Sequence, residues 1–301
     1  MTQASFQRGS VQVYLGEKSG KYPDGNQVLV TGGDTQVAFD MPLVAHALNG
    51  VFDAVDMVIL GHVHEDHLAG LDQRDAVPLW VHEGDLDAAR SWDGMTRHFG
   101  YRAEVLEVWH ERMVRDFHYQ PRPDAIGYAD GHTWDLGGGV RVRAHHMPGH
   151  TTGHCVLVVE PEGVAFIGDI DLTRFGPYYG DATSSLTRFR HSLKAVRELD
   201  ARVWVTSHHR GVITDRDAFE AALQAFADKL DQRADKLLGM LQHEPQSLDT
   251  LVAQRLVYPP GYEAAFVNDV ERRMIEQHLR ELVDAGQVRC VDASQGVFAR
   301  A

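Results

Sequence analysis

At 301 residues the chain can hold one large domain or a large and a small one, and its 44% hydrophobic and 24% charged content is that of a globular protein. A net charge of −14 argues against a nucleic-acid surface spread over the molecule, which needs clustered Lys and Arg, though not against a local basic groove. Residues 1–10 lack the apolar run of a secretory signal, no stretch approaches the ~18 apolar residues of a membrane span, and the two cysteines, Cys155 and Cys290, read as buried thiols of a reducing compartment, so a cytoplasmic location without membrane partners is expected.

Strand signals open the chain. Residues 11–15, 28–30 and 37–39 are short apolar stretches separated by the turn residues Asp24-Gly25-Asn26 and Gly32-Gly33-Asp34. Residues 57–60, Met-Val-Ile-Leu, form the continuous apolar run of a strand buried on both faces, and residues 79–81 repeat it after Pro78. Residues 42–48 and 85–91 read as helical. Residues 92–130 stand apart, with Trp92, Phe99, Tyr101, Trp109, Phe117 and Tyr119 among many charges and Pro121 and Pro123 closing the segment. They are expected to form an insertion over one edge of the core, with the aromatics engaged in packing.

A second strand series follows at residues 140–144, 155–159, 164–167 and 203–205, with a helix over 185–199. Strands alternating with helices predict a layered α/β sandwich. From about residue 218 the pattern turns helical: Phe219, Leu223, Phe226 and Leu230 are followed by Leu237, Leu238 and Leu241. Ser247 is placed to cap a short helix containing Leu251 and Val252, and residues 267–285 form a further helix ended by Gly286. Apolar pieces at 288–291 and 297–299 flank a Ser-Gln-Gly turn. Three helices and a hairpin predict a winged-helix-like module over 218–301, leaving 1–217 as the sandwich.

Histidine carries the chemistry. The segment Gly61-His62-Val63-His64-Glu65-Asp66-His67 sets four potential metal ligands within six residues, directly after a buried strand. His62 and His64 are two apart, so an extended backbone points them to one side, while Asp66 and His67 follow the turn and address a second position. In Pro148-Gly149-His150-Thr151-Thr152-Gly153-His154 the glycines permit a tight path that presents His150, the third nitrogen that His62 and His64 lack. His154 is expected to orient this loop, and His145 and His146 to be structural. Asp169 closes the apolar run before it and reads as a carboxylate bridging two cations. The strand at 203–205 is followed by His208 and His209, either of which can complete the set.

The order H-x-H-x-D-H, P-G-H-T, G-D after a strand, then a strand-end histidine resembles the metallo-β-lactamase superfamily over roughly residues 10–215; Asn26-Gln27 and Phe39-Asp40-Met41-Pro42 resemble its early strands. The resemblance implies a four-layer αββα sandwich with two divalent metals at one edge, zinc first, iron or manganese as alternatives. It implies His62, His64 and His150 on one ion, Asp66, His67 and His208 on the other, and Asp169 between them. His208 is preferred to His209 because Thr206-Ser207-His208 aligns with the family's P-G-H. Asp66 separates the chain from relatives that bind through cysteine, and His64 from the flavodiiron oxidoreductases, which place Glu there.

The resemblance further implies a hydrolase in which a hydroxide bridging the metals attacks a carbonyl or phosphoryl centre, with Asp66 as ligand and proton shuttle. Arg174, Tyr178 and Tyr179 follow the bridging carboxylate and are candidates for binding a substrate carboxylate or phosphate, or for holding their loop together. The sandwich with C-terminal helices looks like glyoxalase II and related thioesterases; the winged-helix-like tail resembles that of a subgroup containing an endoribonuclease. From residue 230 to 301, eight Lys or Arg stand against eleven Asp or Glu, a poor surface for phosphates, so packing, dimerisation or roofing of the site is expected of the tail. A small ester, thioester or lactone is therefore the expected substrate. Alternatives are a nuclease or phosphodiesterase, a mononuclear iron persulfide dioxygenase, and a non-catalytic ligand-sensing regulator.

Overall fold

The computed structural model describes residues 3–48, 50–74 and 76–301. Two sheets face each other. The first runs in chain order through β1 (Phe6–Arg8), β2 (Val11–Tyr14), β3 (Gln27–Thr31), β4 (Gln36–Phe39), β5 (Met57–Ile59), β6 (Leu79–His82) and β7 (Ile126–Tyr128). It is antiparallel as far as β4 and parallel from β4 to β7. The second sheet contains β8 (Thr133–Asp135), β9 (Arg141–His146), β10 (Cys155–Glu160), β11 (Val164–Phe166), β12 (Val203–Val205) and β13 (Val212–Ile213), in the order β13-β12-β11-β10-β9-β8.

Side-chain alternation builds the layers. Val28, Val30, Val37, Phe39 and Ile59 of the first sheet meet Val142, Leu157, Val164, Phe166 and Val203 of the second in a dry inter-sheet core. Their neighbours Leu29, Ala38, Val58, Val156 and Trp204 face outward under helices. The outer layers include α1 (Glu65–Leu68), α2 (Leu86–Arg90), α3 (Trp92–Phe99), α4 (Ala103–Asp116) and α5 (Leu186–Ala195). Ser91 and Ser185 start α3 and α5 by accepting from the N–H groups of Gly94 and Arg188. The order of layers is helix, sheet, sheet, helix, as expected.

Residues 92–130 depart from the expected insertion. They form the crossover α3–α4 and then β7, which pairs in parallel with β6 as the last strand of the first sheet. With only Ile126-Gly127-Tyr128 in register, β7 is too short to stand out as a strand signal.

The long helix α6 (Arg216–Met240) starts on the sandwich through Phe219, Leu223, Phe226 and Leu230. It ends in a separate core with Leu237 and Leu241. That core is completed by β14 (Gln246–Ser247), α7 (Leu248–Gln254), α8 (Val267–Asp284), β15 (Val288–Asp292) and β16 (Val297–Arg300), whose strands pair in the order β14-β16-β15. Ser247 Oγ caps α7 by accepting from Thr250 N–H. Cys155 is buried as expected, but Cys290 is exposed, because β15 is an edge strand whose outer face nothing covers. Among the described residues no helix is long and apolar enough to cross a membrane.

Candidate metal centre

The ligand candidates come from four strand ends on one edge of the sandwich: the turn after β5, the β9–β10 loop, and the ends of β11 and β12. His62 Nε2, His64 Nδ1 and His150 Nε2 form a triangle with sides of 3.0 to 3.1 Å. Beside it, His208 Nε2 lies 3.1 Å from Asp66 Oδ2, and His67 Nε2 lies 3.7 Å from Asp66 Oδ1. Asp169 spans the two groups: Oδ2 is 3.4 Å from His150 Nε2, while Oδ1 is 3.3 Å from His67 Nε2 and 3.5 Å from His208 Nε2. The turn brings His208 into the ligand group, while His209, at a φ of 58° and exposed, lies outside that group on the wall of the cavity above it.

Hydrogen bonds on the outer ring nitrogens decide what the inner ones offer. His64 Nε2–H donates to Asp181 Oδ2 (2.8 Å), His67 Nδ1–H to Asp40 Oδ2 (2.7 Å), His150 Nδ1–H to the Tyr178 carbonyl (3.0 Å), and His208 Nδ1–H to the Gly20 carbonyl (2.7 Å). The inner nitrogens of these four rings are thereby turned toward one another. Two ring nitrogens at 3.0 Å repel unless a proton or a metal cation lies between them. His67 Nε2 and Asp169 Oδ1 are also buried without a hydrogen-bond partner. Imidazole nitrogens and carboxylates in this arrangement fit divalent metal binding.

The local electrostatics differ among the rings: burial opposes charge at His64, but Asp181 raises that ring to about 9. Burial pushes His62 well below its usual range and His150 down to about 3, which keeps both rings neutral with their lone pairs free. At His67 burial opposes charge, but the carboxylates of Asp66, Asp40 and Asp169 raise the ring well above its usual range. Burial likewise opposes charge at His208, where Asp169 and Asp66 lift the ring to about 10. The same carboxylates would attract a metal cation to this group.

Several positioning groups have no signal of their own in the sequence. Asp85 accepts from Val63 N–H (3.2 Å), Thr151 Oγ1–H (2.6 Å) and Gly153 N–H (2.7 Å), tying the His62–His67 turn to the His150 loop. His154, as expected, orients rather than ligates: its Nδ1–H donates to the Met147 carbonyl and its Nε2 accepts from Asp169 N–H. Gly168, at φ +56°, lies so close to that ring that a Cβ would stand 2.7 Å from Nε2. Gly149, at φ +137°, packs on the Phe189 backbone, where a Cβ would meet Phe189 Cα at 2.3 Å.

Above the ligands opens a cavity of about 330 Å³. Its walls are aromatic: Phe99, Tyr101 and Trp109 come from the α3–α4 segment, and Tyr258, Tyr262 and Phe266 from the segment between α7 and α8. The aromatics of the 92–130 segment therefore do more than pack, and the tail roofs the site. Of the three residues expected beside the metals, only Tyr178 lines the cavity, its hydroxyl donating to Asp181 Oδ1 at 3.1 Å. Arg174 is exposed outside it. Tyr179 is fully buried beneath α8, its hydroxyl paired with His278 Nε2 at 2.7 Å and with Arg233, because alternate residues of this loop face opposite sides.

A four-layer sandwich with histidine and aspartate gathered at one edge defines the class, and comparison agrees. Residues 31–208 match the model of the metallo-beta-lactamase superfamily. The chain belongs to that superfamily. An atrochrysone carboxyl ACP thioesterase of Pseudocercospora fijiensis (strain CIRAD86) is 25% identical over 201 residues, 65% of this chain and 57% of that protein, so the match spans little more than half of the relative. A beta-lactamase-like protein 2 homolog of Drosophila melanogaster is 24% identical over 90% of this chain and 83% of its own length. The crystal structure of a metallo-beta-lactamase family protein from Thermus thermophilus superposes with a TM-score of 0.68 at 22% identity, covering 92% of this chain and 94% of that one.

Proposed function

We propose that the chain is a binuclear metal hydrolase of a small ester, thioester or lactone, with His62, His64 and His150 on one ion, Asp66, His67 and His208 on the other, and Asp169 between them. The observation that carries this reading is the placement of four ligand rings, whose outer nitrogens are engaged by oxygen acceptors while their inner nitrogens converge. Two divalent ions in such a site supply a water that ionises near neutral pH and an electrophile for the substrate carbonyl. The chain's own groups do the rest. Asp66 Oδ2, 3.1 Å from His208 Nε2, is placed to take and return the proton of the attacking water. The ring-lined cavity seats the acyl group. Cys155 is no nucleophile: it is buried in β10, and burial raises its thiol pKa.

The competing readings find less support. Nuclease or phosphodiesterase activity fits poorly with a cavity that no Lys or Arg among the described residues lines. The presence of Asp66, His67 and His208 as a full second set disfavours a mononuclear iron dioxygenase. The order helix, strand, helix, helix, strand, strand over 216–300 supports a winged-helix-like module. The helix such a module would offer to DNA is α8, and it is clamped to the sandwich: Arg273 donates to the carbonyls of Phe99, Gly100 and Gly180. A DNA-binding regulator is thereby disfavoured, and the thioesterase among the relatives favours acyl chemistry. Zinc-loaded and chelator-stripped protein assayed on thioesters, lactones and phosphodiesters tests the proposal. Acyl hydrolysis that vanishes on stripping and returns with metal is expected; phosphodiester cleavage alone, or oxygen uptake with a persulfide by iron-loaded protein, would replace it.

A further inference from the structure

The cavity wall carries more information than hydrolysis requires. Away from the ligands it is built of rings in contact, Trp109 edge-on to Phe266 at 5.1 Å and Tyr258 stacked on Tyr262 at 5.0 Å. Among the described residues no Lys or Arg lines it, whereas Glu65 and Asp171 do. An acyl group ending in a carboxylate would lose its hydration against these rings and meet no Lys or Arg in return. An aromatic ring would meet ring faces and edges.

We infer that, granted the hydrolase reading on which this rests, the site selects uncharged aromatic acyl groups over those ending in a carboxylate. The Trp109–Phe266 and Tyr258–Tyr262 pairs determine that choice. The test uses thiophenyl esters of two acids, 3-phenylpropanoic and succinic, with zinc-loaded protein. The first is expected to exceed the succinyl ester in kcat/KM by at least about tenfold, the factor of one lost favourable contact. Binding is read separately, by quenching of tryptophan fluorescence in zinc-loaded protein with the corresponding unreactive N-phenyl amides, and Trp109→Phe serves as the control that removes the reporter. Tyr262→Lys, at a half-exposed position of the wall, should shift both rate and binding toward the succinyl compound. Equal rates and equal binding for the two acyl groups would overturn the inference while leaving hydrolysis standing. Selective amide binding with no ester hydrolysed would sustain it and overturn the hydrolase reading instead.

Discussion

Asp40 holds a φ of 53°, and its two carboxylate oxygens do separate work: Oδ1 accepts from Gly61 N–H at 2.8 Å and Oδ2 from His67 Nδ1–H at 2.7 Å. Asn tolerates that backbone conformation but offers one acceptor where two are needed. Asp40→Asn should therefore keep the fold and weaken metal binding at the His67 position by about 10- to 100-fold, the usual effect of removing a group that orients a ligand. Competition with a chromogenic chelator measures this, and unaltered affinity would remove Asp40 from the account. Removing Asp169 should act more severely, since it faces both nitrogen groups; Asp169→Ala is expected to lose metal and hydrolysis together while circular dichroism stays near that of the parent. The ligands themselves were legible because four of them crowd one turn and the rest follow strand ends. Asp40, Asp85 and Asp181 were not, since an aspartate in a turn looks the same in sequence whether or not folding brings a ligand ring to it.

Among elements, α8 decides how the cavity is held. Glu271 on its buried face accepts from the N–H groups of Leu256, Val257 and Tyr258 at 2.6 to 2.9 Å, fixing the segment that carries Tyr258 into the wall. Arg233 of α6 binds the carbonyls of Phe175 and Pro177, and the Phe175 ring meets Tyr258 edge-on at 5.4 Å. Glu271→Gln presents a donor where N–H groups need acceptors. It should cost about 1–3 kcal/mol of stability, the cost of leaving buried groups unpaired. It should also raise KM for the aromatic ester more than it lowers kcat, because the metal ligands lie on other elements. Denaturant titration and steady-state kinetics check this; a fall in kcat alone would contradict it. The helices of the tail were legible from their apolar spacing and from Ser247. Their docking was not, because the polar groups on α8 that grip the sandwich read in sequence as a solvated face.

At the scale of the whole molecule, burial of neutral histidines couples folding to pH. Burial lowers His278 to about 3 and His82 to about 4, with the neighbouring Arg233 and His146 adding to the respective effects. The unfolded chain protonates these rings near the ordinary value of about 6.5 while the folded chain does not. Stability is thus fully present above that value and is lost progressively as the pH falls toward the folded values. The denaturation midpoint of chelator-stripped protein should drop between about pH 7 and about pH 5, and His278→Asn should lessen the drop; an unchanged slope would show that His278 does not titrate on unfolding. The sandwich was legible at this scale from the alternating strands and the ligand order. The closing of the cavity by two segments more than a hundred residues apart was not, because rings such as Trp109 and Phe266 also serve as ordinary core.

The centre itself is tested most directly by counting metal. Equilibrium dialysis against zinc followed by elemental analysis should give two ions per chain, and close to one for His208→Ala, with hydrolysis lost in step with the second ion. A chain that takes up fewer than two ions, or that hydrolyses its ester equally well when stripped, would contradict the account.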